Sequence, residues 1–181
     1  MKIILSILLF CSVLLADRDG GPYIGFGYGV SEFFDDGVFK EVNKDSSDTM
    51  IFYVGAYINK HLSVELAKVE FNSGNSYEAV DNSNQDTTLT FSSLNVSTLA
   101  HYAFFDDSLD FYAKFGVGEM DAAGVGSTGF TMIYGVGVGY RITDALSVKV
   151  AYDNYDIDYQ ENTTERTMNI KLMYSAIEYQ F

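Results

Sequence analysis

Glu65, Lys114 and Lys149 each fall four to six residues from a predicted tight turn, on the same parity of segments that otherwise alternate with apolar residues. Antiparallel pairing of those segments would bring the three to similar depth, with Asp110, His101 and Arg141 as neighbours. Carboxylates and ammonium groups at one level can lock one another in an ion and hydrogen-bond network, or exchange partners and gate a passage. A second constellation, His61, Leu62 and Ser63 with Glu65 nearby, has the residue types of a serine hydrolase, in which histidine takes the hydroxyl proton and a carboxylate orients the ring. Here parity sends Ser63 and Glu65 to one face and leaves His61 in a turn, so packing roles are expected and no catalysis. Gly124-Val125-Gly126-Ser127-Thr128-Gly129 has the dinucleotide-binding spacing, but that motif needs a helix after it. Phe130 to Tyr140 reads as a strand, and the match is a loop. Asp153, Asp156, Asp158 and Glu161 crowd the last predicted loop, and Asp35 with Asp36 the first. Carboxylates suit Ca²⁺ or Mg²⁺, yet this spacing fits no defined calcium loop, so Asp153, Asp156 and Asp158 stand as weak metal candidates and no cofactor is expected.

The elements that must position these groups are strands. Leu109, Phe111, Ala113, Phe115 and Val117 alternate with Asp110, Tyr112, Lys114, Gly116 and Gly118, the period of two that gives a strand two unlike faces. Residues 134–142 and 23–30 repeat the pattern, and further strands are predicted at 49–58, 62–71, 88–104, 146–155 and 167–181. Eight strands result, joined alternately by short turns at 59–61, 105–108 and 143–145 and by long stretches at 32–48, 72–88, 119–130 and 153–166. Those four stretches hold almost all of the net charge of −14. Two segments break the alternation. Lys68 and Glu70 take the parity of Leu62, Val64 and Leu66, and Met168, Ile170 and Leu172 lie opposite in parity to Ile177, Tyr179 and Phe181. A β-bulge in each would switch the faces.

An even number of antiparallel strands with unequal connections describes an all-β, eight-stranded, up-and-down transmembrane β-barrel. The non-apolar parity holds Gly25, Gly27, Gly55, Gly116, Gly135, Gly137 and Gly139 together with Glu65, Lys114 and Lys149. Glycines suit a narrow interior, and a lysine or arginine facing the bilayer midplane costs about 2–4 kcal/mol. The apolar parity therefore faces lipid, with both chain ends expected on the short-turn, periplasmic side. Tyr23, Phe52, Tyr102, Phe104, Tyr140, Tyr152, Tyr179 and Phe181 fall near strand ends, as interfacial aromatic girdles do.

Residues 1–16 have the layout of a secretory signal peptide: Lys2, an apolar run from Ile3 to Leu15, then Ala16. That run is shorter than the roughly 20 residues of a spanning helix. Its removal takes Cys11, the only cysteine, so residues 17–181 would form one barrel domain without disulfide, thiolate nucleophile or cysteine metal site. The acidity excludes nucleic acid as a partner, because phosphates demand a basic surface.

The run Gly55 to Asn59 turning into Leu62 to Leu66, the run Gly135 to Tyr140 before Arg141, Ile142, Thr143 and Asp144, and the terminal Tyr179, Gln180, Phe181 resemble the small outer-membrane barrels typified by OmpA-like membrane domains. The resemblance implies insertion by the outer-membrane assembly machinery, which reads the C-terminal strand through Ile177, Tyr179 and Phe181. Many such relatives continue into a peptidoglycan-binding domain, and this sequence stops at Phe181. The expected role is a monomeric scaffold in outer-membrane lipid and lipopolysaccharide, presenting acidic loops around a largely blocked lumen, and not an enzyme. The alternatives are a narrow channel for small solutes or ions and a secreted, soluble lipocalin-like barrel.

Overall fold

The computed structural model describes residues 20–35, 37, 39–71, 77–81, 85–105, 107–123, 127–161 and 164–181. The predicted signal peptide and half of the glycine-rich motif (124–126) lie outside the described residues, and the other half, Ser127–Gly129, is not loop but the start of a strand. Ten strands form one antiparallel sheet: β1 (Gly21–Asp35), β2 (Glu41–Lys44), β3 (Ser46–Asn59), β4 (Leu62–Glu70), β5 (Tyr77–Val80), β6 (Asp86–Phe104), β7 (Leu109–Ala123), β8 (Ser127–Arg141), β9 (Leu146–Glu161) and β10 (Thr164–Gln180). The sheet order β2-β5-β6-β4-β3-β1-β10-β9-β8-β7 closes through β6 against β7. Eight strands therefore make the barrel, while β2 and β5 extend its long-connection end. No helix among the described residues is long and apolar enough to cross a membrane.

The short turns are held by their own polar side chains. Asn59 Oδ1 accepts the His61 amide at 2.8 Å. Thr143 Oγ1 accepts the amides of Ala145 at 3.3 Å and Leu146 at 3.0 Å. Between β6 and β7 the chain reverses through Phe105 and Asp107, both at positive φ (52° and 66°). Pro22 lies where its missing N–H costs nothing, and its carbonyl accepts the Phe181 amide at 3.0 Å, tying the two end strands together.

Outward apolar residues form a continuous belt. Ile24, Phe26, Tyr28 and Val30 on β1, Val96 and Tyr102 on β6, Phe111, Phe115 and Val117 on β7, Val136 and Tyr140 on β8, and Met173, Ile177 and Tyr179 on β10 are all exposed. The belt runs from Met50 to Ile58 on β3, from Leu94 to Phe104 on β6 and from Met173 to Phe181 at β10, the roughly 9–11 residues that a tilted strand needs to cross a bilayer, and is shorter on β4 and β9. Girdle residues Phe52, Tyr102, Phe104, Tyr140, Tyr152, Tyr179 and Phe181 face outward as expected, but Tyr23 is buried in the lumen. It belongs to the inward parity of β1, flanked by exposed Ile24, and a neighbouring strand offers its ring a place.

The two expected bulges are absent. β4 pairs in unbroken register with β6 from Leu62 to Glu70 and with β3 from Ser63 to Glu70, and β10 does so with β9 from Thr164 to Tyr179. Among the described barrel ladders the one irregularity falls at Tyr57/Asn59, beside a turn. What changes along these strands is the medium outside them. On β4, Leu66 faces out from the belt, and the next outward residues are Lys68 and Glu70, with Val69 and Phe71 turned inside. On β10, Met173 gives way to Lys171 outside while Leu172, Ile170 and Met168 fill the interior. Glu32 on β1, Asp48 on β3 and Glu119 on β7 mark the same level on their strands. Below this line lipid covers the outer face, so oily groups point out. Above it water does, and the pattern inverts to that of a soluble protein, apart from the exposed rings of Phe34 and Phe130.

The predicted long loops are accordingly mostly strand, since an outer face in water accepts the acidic residues that lipid would refuse. Inside, Phe33 stacks on Phe91 at 5.3 Å and Phe71 meets Tyr155 edge-on at 5.0 Å. Tyr77 closes this apolar storey, sharing a hydrogen bond with the Ser31 hydroxyl. Burial pushes the Tyr77 phenol up to about 12, against the smaller pull of Ser31, so it stays protonated at neutral pH.

Candidate functional site

The lower storey of the lumen gathers the ionisable groups. Lys114, projecting from β7, lies 3.0 Å from Glu65 of β4 and 3.0 Å from Asp153 of β9. Its ammonium also donates to the Tyr174 hydroxyl at 3.2 Å, and that hydroxyl donates to Asp153 Oδ2 at 3.2 Å. Lys149 pairs with Glu178 of β10, the strand beside its own. Three rings surround its ammonium, with centroids 5.1 Å (Tyr23), 5.5 Å (Tyr53) and 5.3 Å (Tyr112) away, inside the range of cation–π attraction. Tyr57 donates to the other oxygen of Glu178 at 3.3 Å.

Glycine spacing makes room for these rings. A Cβ on Gly55 would sit 2.2 Å from Tyr23 Cζ, and one on Gly25 would sit 2.1 Å from Tyr53 Cζ, so each tyrosine lies flat over the glycine of the strand next to it. Gly25, Gly55 and Gly137, the last beneath Tyr112, are therefore partners of the tyrosines that cage Lys149.

His101 and Asp110 form a separate set near the short-turn mouth. His101 Nδ1 lies 2.7 Å from Asp110 Oδ2, and its Nε2 lies 2.8 Å from Ser63 Oγ. With the proton on Nδ1, Nε2 accepts from the serine, the order of groups in a hydrolase triad. The access is the reverse of what hydrolysis needs. The recess at this mouth is lined by Asp110, Arg141, Lys149 and Glu178 among others, but by neither Ser63 nor His101. Ser63 is wholly buried, and its hydroxyl lies 3.3 Å from that of Tyr23. An acyl substrate would meet the carboxylate first and the nucleophile never. A fluorophosphonate probe should therefore leave Ser63 unlabelled in the folded protein, as judged by mass spectrometry, and labelling at that residue would contradict the packing.

Of the six residues expected to share the lumen, Glu65 and Lys114 meet directly and His101 pairs with Asp110, while Lys149 finds a partner that was not anticipated. Arg141 stands at the mouth with its amide bonded to the Ser108 carbonyl, and among the described residues no ion pair joins it to the others. The metal candidates fare differently. Asp153 lies in no loop; it is an inward residue of β9, completely buried and committed to Lys114. Asp156 also lies within β9, where Asn154 and Asn169 donate to its carboxylate. The side chain of Asp158 lies outside what is described. Among the described residues no cluster of three metal-ligating side chains occurs. Glu178 and Asp153 were the members that sequence reasoning missed. Parity carried the signal for both, since Asp153 lies two steps of two from Lys149 and Glu178 opposes the outward Ile177 and Tyr179.

A closed eight-stranded barrel with a lipid-facing belt and an ion-paired interior defines a transmembrane β-barrel of the outer-membrane type. The sequence matches the outer membrane protein beta-barrel domain over residues 3–176, and the chain belongs to that family. No curated protein matches it. Among solved structures it is similar to Neisserial surface protein A, at 12% identity and a TM-score of 0.64, over 90% of this chain and 99% of that one. The N-terminal β-barrel domain of Pseudomonas aeruginosa OprF gives 12% identity and 0.51 over 88% and 97%. Yersinia pestis Ail, solved in complex with the heparin analogue sucrose octasulfate, gives 12% identity and 0.51 over 89% and 99%. At these identities the likeness is one of fold, and membership of the family places the chain in the outer membrane.

Proposed function

We propose that the protein is a non-conducting scaffold of the outer membrane, with both termini in the periplasm and its strand extensions presenting acidic surface outward. The observation that carries this reading is Lys114, fixed between Glu65 and Asp153 in the middle of an interior only wide enough for side chains. A crossing ion would have to pull apart both buried charge clusters and then pass the aromatic storey above them. The outward ring pair Tyr179 and Phe181, 5.2 Å apart, with Ile177 beside them, supports a role in engaging the assembly machinery. The acidic extension favours no polyanion of the kind seen with Ail. No catalytic role is assigned to Ser63, His101 and Asp110.

Planar-bilayer recording tests the reading. The purified, refolded barrel should give no stable conductance, and steady large openings in the wild type would replace the scaffold with the channel.

A further inference from the structure

At the level where the outer face changes from oily to polar, a recess of about 210 Å³ opens on the outside of the barrel, lined by Lys68, Ser92, Ser93, Leu94, Glu119 and Asp121. Register fixes its layout. Lys68 opposes Leu94, which opposes Glu119, in one row across β4, β6 and β7; Glu70, Ser92 and Asp121 form the row above. Lys68 and Glu119 therefore stand two strand spacings apart, about 10 Å, with Leu94 between them, and in the row above the short Ser92 leaves room between Glu70 and Asp121. Leu94, more than half exposed, is the last belt residue on β6, and Val96 continues the lipid-facing surface below it.

We propose that this recess holds an amine-bearing phosphate headgroup of a membrane lipid, of the phosphoethanolamine type. The phosphate takes the Lys68 ammonium and the Ser92 hydroxyl; the primary ammonium, two methylenes away, reaches Glu119 and Asp121; the acyl chains lie on Leu94 and Val96. Lys68 now pairs with Glu70 at 2.9 Å, but both side chains are more than half exposed, and such a pair is weak enough to exchange. The balance of charge selects the headgroup. Carboxylates outnumber the one ammonium, so an anionic headgroup without an amine is repelled. A quaternary ammonium lacks the N–H donors that two carboxylates would accept. The inference rests on the membrane belt and its edge and on the proposed orientation, which turns the recess to the outer leaflet.

The test is native mass spectrometry of the detergent-solubilised full barrel titrated with phosphatidylethanolamine, phosphatidylglycerol and phosphatidylcholine. Phosphatidylethanolamine should be retained preferentially. Lys68→Ala and the double change Glu119→Gln/Asp121→Asn should each weaken it about fivefold, the weight of one exposed charge pair. Heat-modifiable gel mobility reports that the variants fold, which is expected because all three side chains lie on the outer surface. Soluble phosphoethanolamine should compete poorly, since it lacks the chains that Leu94 holds. Equal retention of the three lipids, preference for phosphatidylglycerol, or unchanged retention in both variants would overturn the proposal.

Discussion

Lys114→Met should destabilise the folded barrel by about 3–5 kcal/mol, the cost of leaving buried charge without its partner. Methionine keeps the length and most of the volume of the side chain, so the loss isolates charge from packing. It also strands two carboxylates, Glu65 and Asp153, that face the same ammonium from opposite strands. Adding Glu65→Gln and Asp153→Asn should recover more than half of the loss, because replacing a whole buried ion cluster by neutral groups is often nearly free, whereas breaking it is not. Urea unfolding in micelles, followed by circular dichroism, reads both effects. A single variant within about 1 kcal/mol of wild type, the scale of a solvated pair, or a triple variant no better than the single one, would mean that Lys114 is solvated and the lumen wet.

Val136→Arg should cost about 2–4 kcal/mol, the measured range for a cation on the lipid face near the midplane. Val136 is 60% exposed and sits midway along its part of the belt, opposite Ala113 on β7. Its nearest inward neighbours, Gly135 and Gly137, offer arginine no route into the lumen without displacing Asp153 or Tyr112. The same change at Thr88, exposed on β6 beyond the belt, should alter stability by less than about 0.5 kcal/mol, as surface substitutions do. Reversible unfolding in lipid vesicles measures the pair. Equal costs at the two positions would remove the belt edge as the boundary between lipid and water.

Strand number, closure and the outward belt were legible in the sequence because alternation of side chains is local and each spanning strand repeats it. Glu65 and Lys114 were legible as neighbours for the same reason: equal distance from short turns sets equal depth. The breaks in alternation at Lys68 and at Leu172 were legible as events but not as their cause. A bulge and a change of outside medium give the same string of residues, and only pairing register separates them. Asp153 was misplaced because an acidic, tyrosine-rich stretch has loop composition, yet in a barrel taller than the bilayer such residues serve the water-facing wall and, at Asp153 itself, the lumen. Tyr23 looked interfacial from its place near a strand end; the glycine that receives its ring is 32 residues away, at Gly55, and no local pattern connects the two. Pairing of His101 Nδ1 with Asp110 and of Nε2 with Ser63 depends on three strands meeting at one level, which sequence spacing does not reveal.

Oily side chains face outward up to one level and inward beyond it, with no slip in register between. The chain contains no tryptophan, so single tryptophans report their own surroundings without background. Leu66→Trp and Glu70→Trp, placed on the same face of β4 either side of that level, should separate cleanly in bilayers: the first quenched by brominated lipid and not by aqueous iodide, the second by iodide alone. Insensitivity of the Leu66 probe to brominated lipid would put the oily rows inside the molecule, and protection of the Glu70 probe from iodide would restore the bulge; either result contradicts the structure described.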